Sequence, residues 1–331
     1  MTDVNLIEKV KGPCVILAGA GTGKTYTIVE KVMYLVEHKI YEPQKIVCIT
    51  FSNEAANNLS LRIEKAIGNL SLGEKGKPIL RTFHGFSADL LRAYGGSIGI
   101  SSKFKVLNPD HAKVVLHRSL KINAGNCHKY ISTIGTVKDL GLKIDEFQNY
   151  LHEQLSLLQG IDIEKRLENL NFELQTLHLG NDGWKKRELV QEIKKLRKII
   201  ELRKFIYAWG AYEKLKKKGN YQDYSDLNAN ALALLEQRPE TAEEFSYIIV
   251  DEFQDTNKLQ LDFLVKLASH KNATVVGDIN QSIYRFRGAY KENLNLFRKA
   301  FNVSEKDIFT LSKSYRSSNK VLRTAHRLIL N

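Results

Sequence analysis

Short apolar runs alternate along this chain with longer stretches in which apolar positions recur every three or four residues. The short runs occupy residues 15–17, 45–51, 79–82, 247–250 and 273–276. They are rich in Val and Ile and bounded by turn-forming residues. They are apolar almost throughout instead of alternating with polar positions, which is the pattern of strands buried on both faces. Helical periodicity between them supplies the cover, as from residue 24 to about residue 38. Strand and helix in alternation predict an α/β fold, a parallel sheet with helices on both faces.

That rhythm stops between residues 101 and 219, where strand-like runs fade and the text becomes helical and rich in Lys, Leu, Ile, Glu and Asn. The expected organisation is an inserted all-helical subdomain, residues 101–219, within a domain whose two parts are 1–100 and 220–310. Gly219-Asn220-Tyr221 marks the return. Within the insertion, Leu189, Ile193, Leu196, Ile200, Phe205 and Trp209 lie at helical spacing, so residues 185–218 predict one long amphipathic helix. This segment holds +9 of the chain's net charge of +13. A basic face of that kind serves either solubility or contact with nucleic-acid phosphates, and charge alone does not separate the two.

At 331 residues and 43% hydrophobic composition the chain can bury a core without covalent staples. The cysteines Cys14, Cys48 and Cys127 are widely spaced, with neither disulfide-framework nor metal-site arithmetic, and read as reduced core thiols. No apolar run approaches the roughly 20 residues of a membrane span, and the first residues lack the basic flank and apolar stretch of a leader. The expected location is cytoplasmic, with no membrane partner.

The richest chemical signal is Ala18-Gly19-Ala20-Gly21-Thr22-Gly23-Lys24-Thr25, which follows the first strand and opens a helix. Glycines allow backbone N–H groups to close around phosphate oxygens. Lys24 would reach the β and γ phosphates, and Thr25 would offer a hydroxyl to Mg2+. The helix adds its positive N-terminal end. A second signal follows the buried run 247–250, where Asp251 and Glu252 stand at a strand end, the place ligands occupy in open α/β sheets. Asp251 would hold Mg2+ and Glu252 would deprotonate the attacking water. A third is Gly277-Asp278-Ile279-Asn280-Gln281-Ser282-Ile283-Tyr284-Arg285-Phe286-Arg287-Gly288-Ala289, in which Gln281 suits γ-phosphate sensing and the aromatics and arginines suit a single nucleic-acid strand.

In their order and spacing these blocks resemble the superfamily 1 DNA helicases of the UvrD/Rep type, with RecB/AddA-like features in Tyr284-Arg285-Phe286-Arg287. Thr50-Phe51-Ser52-Asn53-Glu54-Ala55-Ala56, Thr82-Phe83-His84-Gly85-Phe86, Asp223-Tyr224-Ser225-Asp226-Leu227 and the block from Leu311 to Ser318 extend the resemblance over nearly the whole chain. It implies a RecA-like P-loop NTPase domain, ATP and Mg2+ as ligands, and a motor stepping 3′ to 5′ on DNA. It further implies that Lys24, Glu252, Gln281 and Arg316 are catalytic, Arg316 as an arginine finger. Residues Ala18 to Thr25 with Tyr26 and Tyr315 would bind nucleotide, Tyr315 stacking on adenine, and Thr25 and Asp251 would hold the metal. Phe51, Asn53, His84, Tyr284, Phe286 and Arg287 would line the DNA track. The implied partners are single-stranded DNA, a single-strand/duplex junction touched by the helical insertion, and a second RecA-like domain.

Three positions depart from the family pattern. No glutamine precedes Gln44 to read adenine, Tyr26 stands where an arginine often follows Lys-Thr, and Glu54 replaces a common lysine. Residues 311–331 read as only the start of the second RecA-like domain. The expectation is therefore an N-terminal motor portion that does not unwind alone. A nucleic-acid-binding module with a vestigial nucleotide site is the alternative.

Overall fold

The computed structural model describes residues 4–68, 76–158, 160–177, 183–278, 293–318, 320, 321 and 324. Two compact units emerge. The first comprises the described residues of Met1–Phe104, Asp139–Gly141 and Asp223–Asn331, and the second those of Lys105–Lys138 and Leu142–Gln222.

In the first unit the chain runs α1 (Val4–Glu8), β1 (Cys14–Ala18), α2 (Lys24–Glu37), β2 (Ile46–Thr50), α3 (Asn53–Gly68), β3 (Ile79–Thr82) and α4 (Phe83–Tyr94). In the second come β4 (Lys105–Leu107), α5 (Pro109–Leu120), α6 (Ala124–Asp139), α7 (Ile144–Ser156), α8 (Ile163–Thr176), α9 (Gly183–Gly219) and β5 (Tyr221–Asp223). The first unit resumes with α10 (Tyr224–Gln237), β6 (Tyr247–Val250), α11 (Lys258–Leu267), β7 (Ala273–Gly277), α12 (Asn293–Phe301) and β8 (Ile308–Leu311).

Among the described residues six strands form one sheet in the order β3-β2-β6-β7-β1-β8, and each of these pairings is parallel. The register sets Cys14 beside Thr274, Val15 beside Ile308, and Ile248 beside Ala273. Because successive side chains alternate across a strand, each strand feeds two cores. Val15, Val47, Ile49, Ile248, Val250 and Val275 face α4, α10, α11 and α12. Cys14, Ile16, Ile46, Cys48, Ile249 and Val276 face α1, α2 and α3. This two-sided burial explains why the strands read as continuous apolar runs. It is the expected parallel α/β sheet, helices on both faces.

All strands being parallel, their C-terminal ends share one edge of the sheet. The loop after β1, Phe51 after β2, His84 after β3, Asp251 after β6, Asp278 after β7 and Ser314 after β8 all emerge there. One polar anchor ties down the opposite edge. Lys31, with no exposed surface, donates to the carbonyls of Leu6 and Lys9 at 2.8 and 2.7 Å. Burial lowers its ammonium pKa to about 8.

The second unit is mainly helical, and its 37-residue helix α9 serves two separate cores. Leu189, Ile193, Leu196 and Ile199 pack with α8, whereas Phe205, Trp209 and Tyr212 pack with α5 and α6. The insertion, expected to be all helical over residues 101–219, contains the strand β4, which pairs with β5 just past that expected end in a two-stranded sheet. Neighbouring extended segments satisfy each other's backbone groups there, as in the Lys105 N–H donated to the Asn220 carbonyl at 2.9 Å. Three-residue strands are too short to carry a periodic signal in the sequence. The cysteines are buried and free, Cys14 and Cys48 in strands and Cys127 in α6.

Candidate active site

The loop from Gly19 to Gly23 is held open by backbone conformations that only glycine adopts without strain. Gly21 has φ of +71° and Gly23 of +91°. Thr22 closes the loop by donating its N–H and its hydroxyl to the Gly19 carbonyl, at 3.4 and 2.9 Å. Lys24 and Thr25 then begin α2, so both side chains leave the first turn of a helix whose N-terminal N–H groups point into the loop. Ala18 is the buried last residue of β1. Tyr26 is 57% exposed on the same first turn.

The acidic strand end approaches this loop from β6, two positions away in the sheet. Lys24 Nζ lies 2.8 Å from Glu252 Oε2. Glu252 is held in a left-handed conformation with φ of +50° and ψ of +44°, uncommon for a residue with a side chain. Asp251 accepts the Glu252 N–H at 2.9 Å and donates its own N–H to the Ile49 carbonyl at 2.9 Å. Burial first, and the neighbouring Glu252 second, raise the carboxyl of Asp251 to about 6. The same two causes raise Asp255 to about 6. One oxygen of Asp255, Oδ1, is buried with no hydrogen-bond partner. Glu252 and Lys24 thus act on both Asp251 and Asp255, and the unpartnered Asp255 oxygen is a hard donor of the kind a divalent cation takes.

The chain following β8 reaches the loop from the other side. Tyr315 donates its N–H to the Gly21 carbonyl at 2.8 Å, and the Ser314 hydroxyl lies 3.3 Å from the Ala20 carbonyl. A Cβ on Gly21 would stand 2.4 Å from the Arg316 Cβ, so the approach itself requires glycine there. Tyr315 is 64% exposed, its ring capped at 5.2 Å by the Lys313 ammonium. Arg316 is exposed beside it.

Of the expected nucleic-acid residues, Phe51 is half-buried at the end of β2 and Asn53 is exposed at the start of α3. His84 is half-buried in the first turn of α4, its ring 5.0 Å from that of Tyr224. Burial lowers the imidazole of His84 to about 4, against the pull of Asp223, so it is neutral near pH 7. Gln281, Tyr284, Phe286 and Arg287 lie outside the described residues.

Sequence reasoning gave no role to Gln254, Asp255 or Tyr224. Gln254 and Asp255 stood inside the acidic block, and Tyr224 inside the 223–227 block. Nothing in their spacing distinguishes them from cap or core residues. Gln254 donates its amide N–H to Glu252 Oε2 at 2.7 Å and accepts the Asp278 N–H at 3.0 Å.

A family model described as the UvrD/REP helicase N-terminal domain matches residues 2–302. The chain is 30% identical over 334 residues to the ATP-dependent DNA helicase Rep of Buchnera aphidicola subsp. Acyrthosiphon pisum, covering 99% of this chain and 44% of that protein. It is 30% identical to the ATP-dependent DNA helicase srs2 of Schizosaccharomyces pombe, covering 95% and 32%. It is 31% identical to the ATP-dependent DNA helicase PcrA of Staphylococcus epidermidis, covering 98% and 38%. The chain therefore spans less than half the length of these relatives. Among the described residues no helix is long and apolar enough to cross a membrane.

Proposed function

The chain belongs to the UvrD/REP helicase family, and from that premise we propose that it is the ATP-hydrolysing, single-strand-binding motor portion of a DNA helicase moving 3′ to 5′. The observation that carries this reading is the Lys24–Glu252 pair. It joins the glycine loop to the acidic strand end at 2.8 Å, the two halves that phosphoryl transfer to water needs in one place.

The chemistry follows from the residues. A triphosphate entering the loop competes for Lys24, since a doubly charged phosphate attracts the ammonium more strongly than one carboxylate does. Backbone N–H groups of the loop and of the first turn of α2 receive the remaining phosphate oxygens. Release of Lys24 leaves Glu252 with an uncompensated carboxylate, positioned to orient a water and take its proton. Thr25 and Asp251 would hold Mg2+, which would supply neutralisation of phosphate charge. The elevated carboxyls of Asp251 and Asp255 fit this role, because a cation would stabilise carboxylates that burial first, and Glu252 second, disfavour. Arg316, beside Gly21, would add charge at the phosphates, and Tyr315 would stack on the base.

Single-stranded DNA would cross the C-terminal edge of the sheet over Phe51, Asn53 and His84, with Tyr284, Phe286, Arg287 and the γ-phosphate sensor Gln281 completing the track. Because His84 is neutral, its contribution there is stacking or hydrogen bonding, not charge. The helical unit would contact the duplex side of a junction through the basic face of α9. A second RecA-like domain would close over the nucleotide and supply what unwinding requires.

The deciding measurement is steady-state ATP hydrolysis with and without single-stranded DNA, with Glu252→Gln as the blank. DNA-stimulated turnover above the blank supports the reading. DNA binding with no nucleotide binding at all replaces it with a nucleic-acid-binding module whose nucleotide site is vestigial.

A further inference from the structure

Strand β7 lies between β6 and β1, so whatever links the acidic strand end to the glycine loop must pass the end of β7. Gln254 occupies that passage. Its amide N–H meets Glu252 Oε2, the same oxygen that receives Lys24, while its carbonyl receives the Asp278 N–H. Gly277 makes the second bond possible. A Cβ at Gly277 would stand 2.6 Å from Gln254 Oε1, inside contact distance. Asp278 is itself buried at the loop, its Oδ2 lying 3.8 Å from where a Cβ on Gly19 would be.

We propose that Gln254 is a positioning residue that transmits the state of the Lys24–Glu252 pair to the backbone at Asp278, the point where the chain enters the segment carrying Gln281. This rests on the reading of Lys24 and Glu252 given above. The physical basis is the shared oxygen. In the free protein Glu252 Oε2 is divided between an ammonium and an amide donor. When a triphosphate draws Lys24 away, the carboxylate loses its charged partner, and its bond to Gln254 becomes the remaining strong interaction at that oxygen. The amide group is planar and rigid, so its donor and acceptor ends move together. A displacement of Glu252 is therefore felt at the Asp278 N–H, without any contact between nucleotide and β7.

The test is amide hydrogen exchange at Asp278 in the whole chain, with and without a non-hydrolysable ATP analogue and Mg2+, in wild type and two variants. Gln254→Met keeps length and bulk but makes neither bond. Gln254→Glu keeps an acceptor for Asp278 and loses the donor to Glu252, and it carries the test if the first variant fails to fold. The expected result is a severalfold change in Asp278 exchange on nucleotide addition to wild type, and no change in either variant although nucleotide still binds. A variant that binds nucleotide and responds like wild type overturns the proposal. So does a wild type that binds nucleotide without any response at Asp278. A titration showing that wild type binds no nucleotide overturns the reading of the site, and the relay with it.

Discussion

Lys24 Nζ and Glu252 Oε2 stand 2.8 Å apart although 228 positions separate them in the chain. In the free site the residue that should hold phosphate and the residue that should activate water neutralise each other. Separating their roles requires different substitutions. Lys24→Ala should weaken nucleotide binding about tenfold or more, the effect of losing a charge-assisted hydrogen bond of about 1.5–3 kcal/mol. Glu252→Gln should bind nucleotide as well as wild type or better, since Lys24 is released, and hydrolyse none. Titration calorimetry beside a phosphate-release assay checks both. Equal nucleotide affinity in wild type and Lys24→Ala would remove the cradle assignment.

The crowded carboxyls predict a pH signature. Asp251 and Asp255 keep their protons to about pH 6 in the folded chain, against a reference value of 3.8. Between those values the native state binds more protons than the unfolded one, so this contribution to stability falls as pH rises, and the loss persists at neutrality. Asp255→Asn should therefore be more stable than wild type by about 1–3 kcal/mol at pH 7.5, with the gain shrinking toward pH 4. His84 acts in the opposite sense. Its folded value of about 4 lies below the reference of 6.5, so stability is full above pH 6.5 and is lost as pH falls toward 4. His84→Gln should flatten that acid-side loss. Urea unfolding of the three proteins from pH 4 to 7.5 resolves the two slopes.

Lys31 supplies a prediction away from the chemistry. Lys31→Met removes a buried cation but takes the ammonium donor from the Leu6 and Lys9 carbonyls, leaving Lys9 only the longer bond from the Tyr247 hydroxyl at 3.4 Å. The expected outcome at pH 7 is a destabilisation of about 1–3 kcal/mol with faster exchange in α1. Wild type should also gain stability as pH rises from about 8 to the reference value of 10.5, where the unfolded chain holds the proton that the folded one releases. The variant should not. Chemical denaturation at pH 7 and pH 10 distinguishes them.

The basic residues of α9 divide into two kinds. Arg187, Lys194 and Lys198 are exposed on one helix face, in line with Trp184, which is 68% exposed. Lys216 is buried and bonded to Glu213 at 2.9 Å. Replacing the three exposed cations with Ala should lower the slope of log affinity against log salt by about 2–3 on a labelled junction DNA, at roughly 0.7–0.9 for each phosphate no longer neutralised. Lys216→Ala should lower stability and leave the salt slope unchanged. An unaltered slope in the triple variant would make that face a solvating one.

Much of this was legible in the sequence because it depends on neighbours along the chain. The glycine spacing from Gly19 to Gly23, the first turn starting at Lys24, and the apolar runs that became β1, β2, β3, β6 and β7 all arise from local backbone geometry and from burial on two faces. The strand β8 was missed, since Ile308–Leu311 is a half-buried edge strand with a weaker apolar signature. The pair β4 and β5 was missed because three residues carry no period.

Type and periodicity alone determined the parallel α/β class, the glycine loop between strand and helix, the acidic strand end and the long basic helix. Only the tertiary structure decided that Ser314 and Tyr315 rest against the loop, that Lys24 is bound by Glu252, and that Gln254 bridges to Asp278. Those relationships depend on strand order, which places β7 between the two halves of the site, and strand order is set by long-range packing that no short window of sequence contains.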